Sequence, residues 1–376
     1  MSTVTACVLG DIDLVRALAH GGIRPAVMAA PGSPSRYSRS TAALIDHADS
    51  SASPALCVER LLDFAARQDE PPVLYFDGDW DLLMVSRFRE RLADGLRFVV
   101  ADAELVETLV DKEAFQRQAV QLGLPVPPAR RLRAADDPDV GLRFPVVVKP
   151  LTRHHDAWRP IARGKALRVD SQQQLRNLAE QLAEEGVDVL VQEAVPGPES
   201  MIESYHVYVD ASRQVAAEFT GRKLRTFPAG YGYSTALVTT DSADVREMGR
   251  DVVRRIGLTG VAKLDFKRDE QGALHLLEVN PRFNLWHHPG AIAGVNIPAI
   301  VHADLTGRER PPAAVARAGV RWCSPAHDLQ AARHDGLSVA RWLRWAISCE
   351  AKSGFAWADP LPLPRALLAR TTRARR

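Results

Sequence analysis

The chain has little cysteine: Cys7, Cys57, Cys323 and Cys349 are its only four, and no two form a CxxC pair. That scatter excludes a disulfide scaffold and a cysteine-ligated zinc site, and it fits a reduced compartment. Long apolar runs are missing too. No stretch reaches the roughly 18 residues that a membrane span needs. The N-terminus has no basic segment followed by an apolar one, so no secretory signal is expected and the expected location is cytoplasmic. Net charge is almost absent: 48 Lys and Arg stand against 46 Asp and Glu, for a total of +2. This gives no support for a nucleic-acid partner held by bulk charge. GxSxG and HExxH are absent, and the first strand-turn, Leu9-Gly10-Asp11-Ile12-Asp13, lacks a GxGxxG fingerprint. What remains is ordinary globular material. With 376 residues, 46% apolar and 25% charged, the chain can bury a sizeable core in two or three units.

The first hundred residues alternate strand and helix signals. Val4–Leu9, Ala26–Ala30, Val73–Phe76 and Phe98–Val100 read as strands, and Leu14–His20 and Ala55–Arg67 as helices. That rhythm predicts a small parallel sheet. Asp111–Leu122 reads as a helix stopped by Gly123, and Phe144–Lys149 as a strand ended by Pro150. Ser171 is a candidate N-cap for a helix to about Glu185, and Val187–Glu193 and Ile202–Val209 read as strands. Arg246–Ile256 is helical, Val261–Lys267 and Ala273–Val279 form a hairpin, and the chain beyond 311 reads as helices and loops.

The most informative segment is Gly260–Arg282, GVAKLDFKRDEQGALHLLEVNPR. If Asp269 pairs with Gly272, Asp265 lies opposite Leu276 and Glu278 is its diagonal neighbour. Asn280 shares that face, because strand side chains repeat every second residue. An Asp, a Glu and an Asn carboxamide converging in this way suit a hard cation such as Mg2+. Lys149, at the end of an apolar strand, can be held rigid and aimed at phosphate. The strand running into Gln192-Glu193-Ala194-Val195-Pro196-Gly197-Pro198-Glu199 can offer backbone groups to a planar base and a carboxylate to sugar hydroxyls. His154-His155-Asp156 has no third ligand at a convincing spacing, so no transition-metal site is expected there.

In this order, these segments resemble the ATP-grasp superfamily over roughly Val110 to Pro298. They run from Asp111-Lys112 through the Lys149-Pro150 strand, the Gln192–Glu199 linker and Asp265…Glu278-Val279-Asn280-Pro281-Arg282 to Gly294-Val295-Asn296-Ile297-Pro298. The resemblance implies an α/β (α+β) chain: a Rossmann-like domain over 1–108, a two-lobed ATP-grasp domain over 109–310 (lobes 109–190 and 191–310), and a C-terminal extension over 311–376. It implies that Lys112 and Lys149 contact ATP phosphates, and Lys165, just after the expected covering loop, is a candidate to supply charge there. Gln192, Glu193 and Val195 would line the adenine site, and Glu199 would hold the ribose. Asp265, Glu278 and Asn280 would bind Mg2+ or Mn2+, and Arg282 would stabilise the transferred phosphoryl group. Two departures stand out. Position 265 is Asp where many members have Glu, and Leu151–Gly164, where the phosphate-covering loop is expected, is not Gly-rich.

The family's chemistry joins a carboxylate to an amine. Phosphoryl transfer from ATP turns the acid into an acyl phosphate, which the amine attacks. The chain looks most like the carboxylate–amine ligase branch, which includes D-aspartate ligases. That branch implies small-molecule, amino-acid-like substrates and no nucleic-acid or membrane partner, and leaves a homodimer open. Arg222, Lys223 and Arg225 are candidate anion binders, Trp286 could pack on a substrate, His287 could take an amine proton, and Asp77 and Asp79 edge the first domain's cleft. The competing expectations are an ATP-grasp enzyme with a non-amine acceptor, kinase-like, and a nucleotide-binding regulatory module without turnover.

Overall fold

The structure is a computed structural model that describes residues 4–134, 136–151, 156–158, 161–162 and 164–373. Its strands form three sheets. In the first, β1 (Ala6–Leu9), β2 (Ala26–Met28), β3 (Ala43–Ile45) and β4 (Val73–Phe76) run parallel in the order β3-β2-β1-β4. β1 and β4 are buried along their whole length, as continuous apolar strands covered on both faces are. Asp11 starts the helix Ile12–His20 by accepting the Ile12 N–H. The expected strand Phe98–Val100 is not one. Only a single bridge, Val73 to Arg97, touches the sheet there. Phe98 and Val100 pack on one core and Val99 on another, so this apolar run is a connector wedged between cores.

β5 (Ala129–Leu132), β6 (Val146–Pro150), β7 (Leu167–Val169) and β8 (Val189–Glu193) form an antiparallel sheet in the order β5-β8-β6-β7. The helix Gln172–Glu184, capped by Ser171 as expected, covers one face. Val146, Val148, Leu175, Leu182, Val189 and Val191 make a core there, separate from the others.

The largest sheet holds β9 (Ile202–Val209), β10 (Val215–Phe227), β11 (Tyr233–Thr240), β12 (Gly260–Arg268), β13 (Leu274–Asn280), β14 (Arg321–Cys323) and β15 (Ala351–Lys352). Its order is β13-β12-β9-β10-β11-β14-β15. One face sends Tyr205, Val207, Ala262 and Leu264 into the core that also serves the first sheet. The other face is divided: Tyr208, Phe219 and Val261 are core, while Ser204, Lys223, Lys263 and Asp265 form a polar end. The chain beyond 311 is not helix and loop alone, because β14 and β15 extend this sheet's edge.

The hairpin β12–β13 departs from the expected register. Arg268 pairs with Leu274, and a bulge between Asp265 and Phe266 gives β13 one extra residue, so Asp265 faces Glu278 directly. The bulge reverses the phase of β13. Leu276 pairs with Phe266 in the core, and both are fully buried, while Glu278 two residues on stands with Asp265 on the polar face. All four cysteines are buried and unbridged. Among the described residues no helix is long and apolar enough to cross a membrane.

Candidate functional site

A cavity of about 340 Å³ lies between the small sheet and the polar end of the large one. The roof follows from strand alternation. Val146 and Val148 of β6 point into the small core, so Val147 and Lys149 face the cavity; on β8, Leu190 and Gln192 do the same. Lys149 Nζ donates to Gln192 Oε1 at 2.9 Å, Gln192 donates to Gln116 Oε1 at 3.3 Å, and Gln116 donates to the Pro127 carbonyl at 2.9 Å. Burial holds the Lys149 ammonium below the usual lysine range, with Glu278 pulling the other way. Lys112 Nζ donates to the Leu151 carbonyl at 3.2 Å.

The floor holds the acids. Asp265 Oδ2 lies 2.7 Å from Lys263 Nζ and 3.0 Å from Lys223 Nζ, and Ser204 Oγ donates to its other oxygen. Burial alone would raise the Asp265 carboxyl, but the two ammoniums outweigh it and hold the group below the usual range. Burial lowers Lys263, whereas for Lys223 the nearby acids, Asp265 foremost, overcome burial and raise it. Glu278 Oε1 lies 3.8 Å from Lys263 Nζ and accepts from Asn280 Nδ2 at 3.1 Å.

The rim carries the remaining groups. Lys165 Nζ sits 3.9 Å above the Tyr233 ring. Glu199 accepts the Tyr231 N–H at 2.6 Å and the Thr226 hydroxyl. The Glu193 carboxylate is turned to Arg143 at 2.8 Å, and its N–H is used by the Pro128 carbonyl.

The structure thus brings Lys112, Lys149, Lys165, Gln192, Glu193, Val195, Glu199, Lys223, Asp265, Glu278, Asn280 and Asp79 to one cavity. Arg282 stands just behind it, its Nε 2.5 Å from Asp79 Oδ1. Other candidates fall elsewhere. Arg222 alternates to the opposite face and is exposed. Arg225 is drawn by a bulge into a bidentate pair with buried Asp328, both contacts 2.8 Å, and stacks on Trp345. Trp286 is buried against Gly221, where a Cβ would stand 2.2 Å from the indole, so a substrate cannot lie there. His287 is buried in an aromatic cluster that lowers its pKa to about 3, so it cannot take an amine proton near neutrality. Asp77 lies beyond the cavity, at the end of β4. Much of the expected covering loop, with His154 and His155, lies outside the described residues.

Lys263 and Ser204 were missed. Lys263 was legible as the residue two before Asp265 on one strand face. Ser204 is brought to Asp265 only by the pairing of β9 with β12.

Comparison with known proteins bears on the fold that carries this site. A family model described as "ATP-grasp in the biosynthetic pathway with Ter operon" matches residues 185–325. Among solved structures, an N5-carboxyaminoimidazole ribonucleotide synthetase in complex with ADP superposes with TM-score 0.64 at 12% identity, covering 89% of this chain and 87% of its own. A Campylobacter jejuni biotin carboxylase in a β-γ-ATP complex superposes with TM-score 0.63 at 13% identity, covering 85% of this chain and 74% of its own. The chain has the ATP-grasp fold. Among curated proteins it is similar to a D-aspartate ligase of Enterococcus faecium (strain Aus0004), 23% identical over 239 residues, which are 60% of this chain and 57% of that ligase. The match therefore spans less than two thirds of that relative.

Proposed function

We propose that the chain is an ATP-dependent carboxylate–amine ligase that forms an amide through an acyl phosphate and releases ADP and phosphate. One observation carries the reading: lysines from the roof and an acid–amide set from the floor face each other across a cavity of nucleotide-compatible size. In this reading Lys112, Lys149 and Lys165 hold the phosphates, Gln192, Glu193 and Val195 border the base, and Glu199 meets the ribose. In this reading both cavity walls belong to the expected unit 109–310, with Asp79 added from the unit 1–108.

Asp265, Glu278 and Asn280 supply hard oxygen donors, and their placement on one face fits Mg2+ or Mn2+. When bound, that ion neutralises phosphate charge. The chain's own cations do the remaining positioning. Lys223 and Lys263 already sit at Asp265, where anionic substrate oxygens would gather. In this reading Arg282, held by Asp79, meets the negative charge that builds on the transferred phosphoryl group. No side-chain nucleophile is needed, because the acyl phosphate itself is the activated species.

Hydroxylamine trapping tests the reading. With ATP, Mg2+ and pooled amino acids, an acid-dependent hydroxamate and ADP are expected. ADP formed with a phosphorylated alcohol product would move the chain to the kinase-like reading. ATP binding without ADP release under any pool would move it to the regulatory reading.

A further inference from the structure

A second cavity, of about 660 Å³, opens at the carboxyl ends of the first sheet's strands, and the chain beyond 311 supplies its far wall, with Trp322, His327 and Leu363. Leu363 belongs to the helix Pro362–Arg373, which packs on the turn Pro34–Tyr37. The approach to that helix is pinned. Asp359 accepts from Ser38 Oγ at 2.6 Å and from the Arg39 N–H at 3.2 Å, and lies 3.9 Å from Arg16 Nη2. The inner side of the helix is therefore held against the body.

The outer side runs against the usual rule for a surface helix, since it buries small residues and shows large ones. Pro362 and Ala366 are buried, whereas Leu367 and Leu368 are more than half exposed. Leu361, at the helix's entry, is exposed, and Trp357, at 81%, is the most exposed large apolar side chain among the described residues. Phe355 meets the Trp357 ring edge-on at 5.2 Å. Charge is sorted to the same end of the chain. After residue 310, eleven Lys and Arg stand against four Asp and Glu; up to residue 310, thirty-seven stand against forty-two. From Arg365 on there are five arginines in twelve residues, and no acid follows Asp359. Arg365 is exposed.

We propose that the helix Pro362–Arg373, together with Trp357, docks on a bilayer surface that carries anionic lipids. The leucines and the indole enter the boundary between headgroups and acyl chains, and the arginines meet the lipid phosphates. The helix lies on that surface and is too short to cross it. Charge selects this occupant. A second copy seated face to face would set arginines against arginines, and the nearest acid, Asp359, is already buried against Ser38 and Arg16. A nucleic acid would meet the arginines but leave the leucines in water. The resemblance to ATP-grasp enzymes implied no membrane partner, and the docking surface departs from that expectation. It uses no residue that lines the nucleotide cavity, so it stands apart from the ligase reading.

Flotation of the full chain with lipid vesicles tests this. The chain is expected to float with vesicles of phosphatidylcholine mixed with phosphatidylglycerol and not with phosphatidylcholine alone, and less so as salt rises. Affinity for the mixed vesicles is expected to fall about fivefold in Arg365→Gln. In the double variant Trp357→Ala/Leu367→Ser it is expected to fall about tenfold or more. Both variants change exposed side chains, and melting curves that match the parent chain show that the fold is intact. No binding to the mixed vesicles, equal binding to neutral ones, or undiminished affinity in either variant would overturn the proposal. Loss in Arg365→Gln alone would reduce the surface to one that attracts any polyanion. Sedimentation without lipid reads the remaining alternative: a dimer that the double variant dissociates, with no vesicle binding, would give the surface to a second copy.

Discussion

Two cavities flank Arg282, and they differ in how charge is balanced. The one between the sheets is lined by five lysines, Lys112, Lys149, Lys165, Lys223 and Lys267, and by five acids, Asp79, Glu193, Glu199, Asp265 and Glu278. The one at the ends of the parallel strands has four aspartates and, among the described residues, no lysine or arginine in its lining. A formal charge of +2 therefore says nothing about either site. The contrast teaches that charge is sorted by where strand alternation and bulges aim each residue. Lys223 and Arg225 sit two apart on β10, yet one enters the cleft and the other is captured by Asp328.

The most severe way to break the contrast is Glu278→Ala. Removing this carboxylate is expected to lower turnover by a factor of about 10³ or more, read as ADP release, because phosphate charge is then poorly neutralised. Near-normal activity would show that the lysine cleft works without its acids. Asp328→Ala is next. It leaves Arg225 buried without its partner and is expected to cost about 3–5 kcal/mol of unfolding free energy, measured by denaturant titration. If stability held, Arg225 would be free to serve the cleft after all. Lys149→Ala is expected to lower kcat/KM for ATP about 100-fold, roughly 2.7 kcal/mol of transition-state binding. A change confined to the acceptor's KM would place Lys149 on the wrong side of the comparison.

The smallest effect concerns Asp77. Its folded pKa, about 7, lies above the unfolded value of 3.8. The folded chain therefore holds this proton more tightly, and stability falls as pH rises from about 4 to 7. Asp77→Asn is expected to flatten that window and to stabilise the chain at pH 8 by roughly 2 kcal/mol, about half the full linkage, since the cavity partly wets the carboxyl. Melting curves at pH 5 and pH 8 check this; an unchanged difference between them would mean that Asp77 finds a counter-charge in the fold.

Much of this was legible from spacing. The strand-then-lysine pattern at Val146–Lys149 and the alternation of Glu278 and Asn280 put those residues on one side without any knowledge of the fold. Local pattern failed where a partner decides. His287 and Trp286 look reactive in sequence, but Phe219, Phe283 and Gly221 bury them. The acidic cavity was half visible: Asp77, beside its edge, could be named, but Asp11 and Asp81 come together only through sheet order and the packing of the C-terminal chain.

The bulge at Leu277 gives the hairpin a property like a reading frame. Upstream of it, odd and even positions of β13 mean one pair of environments; downstream they mean the reverse. Lengthening the turn at 269–273 leaves both halves in frame, because turn residues are not part of the ladder. Were Leu277 taken into the ladder as an ordinary rung, Leu276 and Glu278, two apart in sequence, would share a face, and seating Leu276 in the core would turn Glu278 inward with it. Deleting Leu277 instead makes them neighbours on opposite faces, so Leu276 stays against Phe266 and Glu278 stays against Asp265.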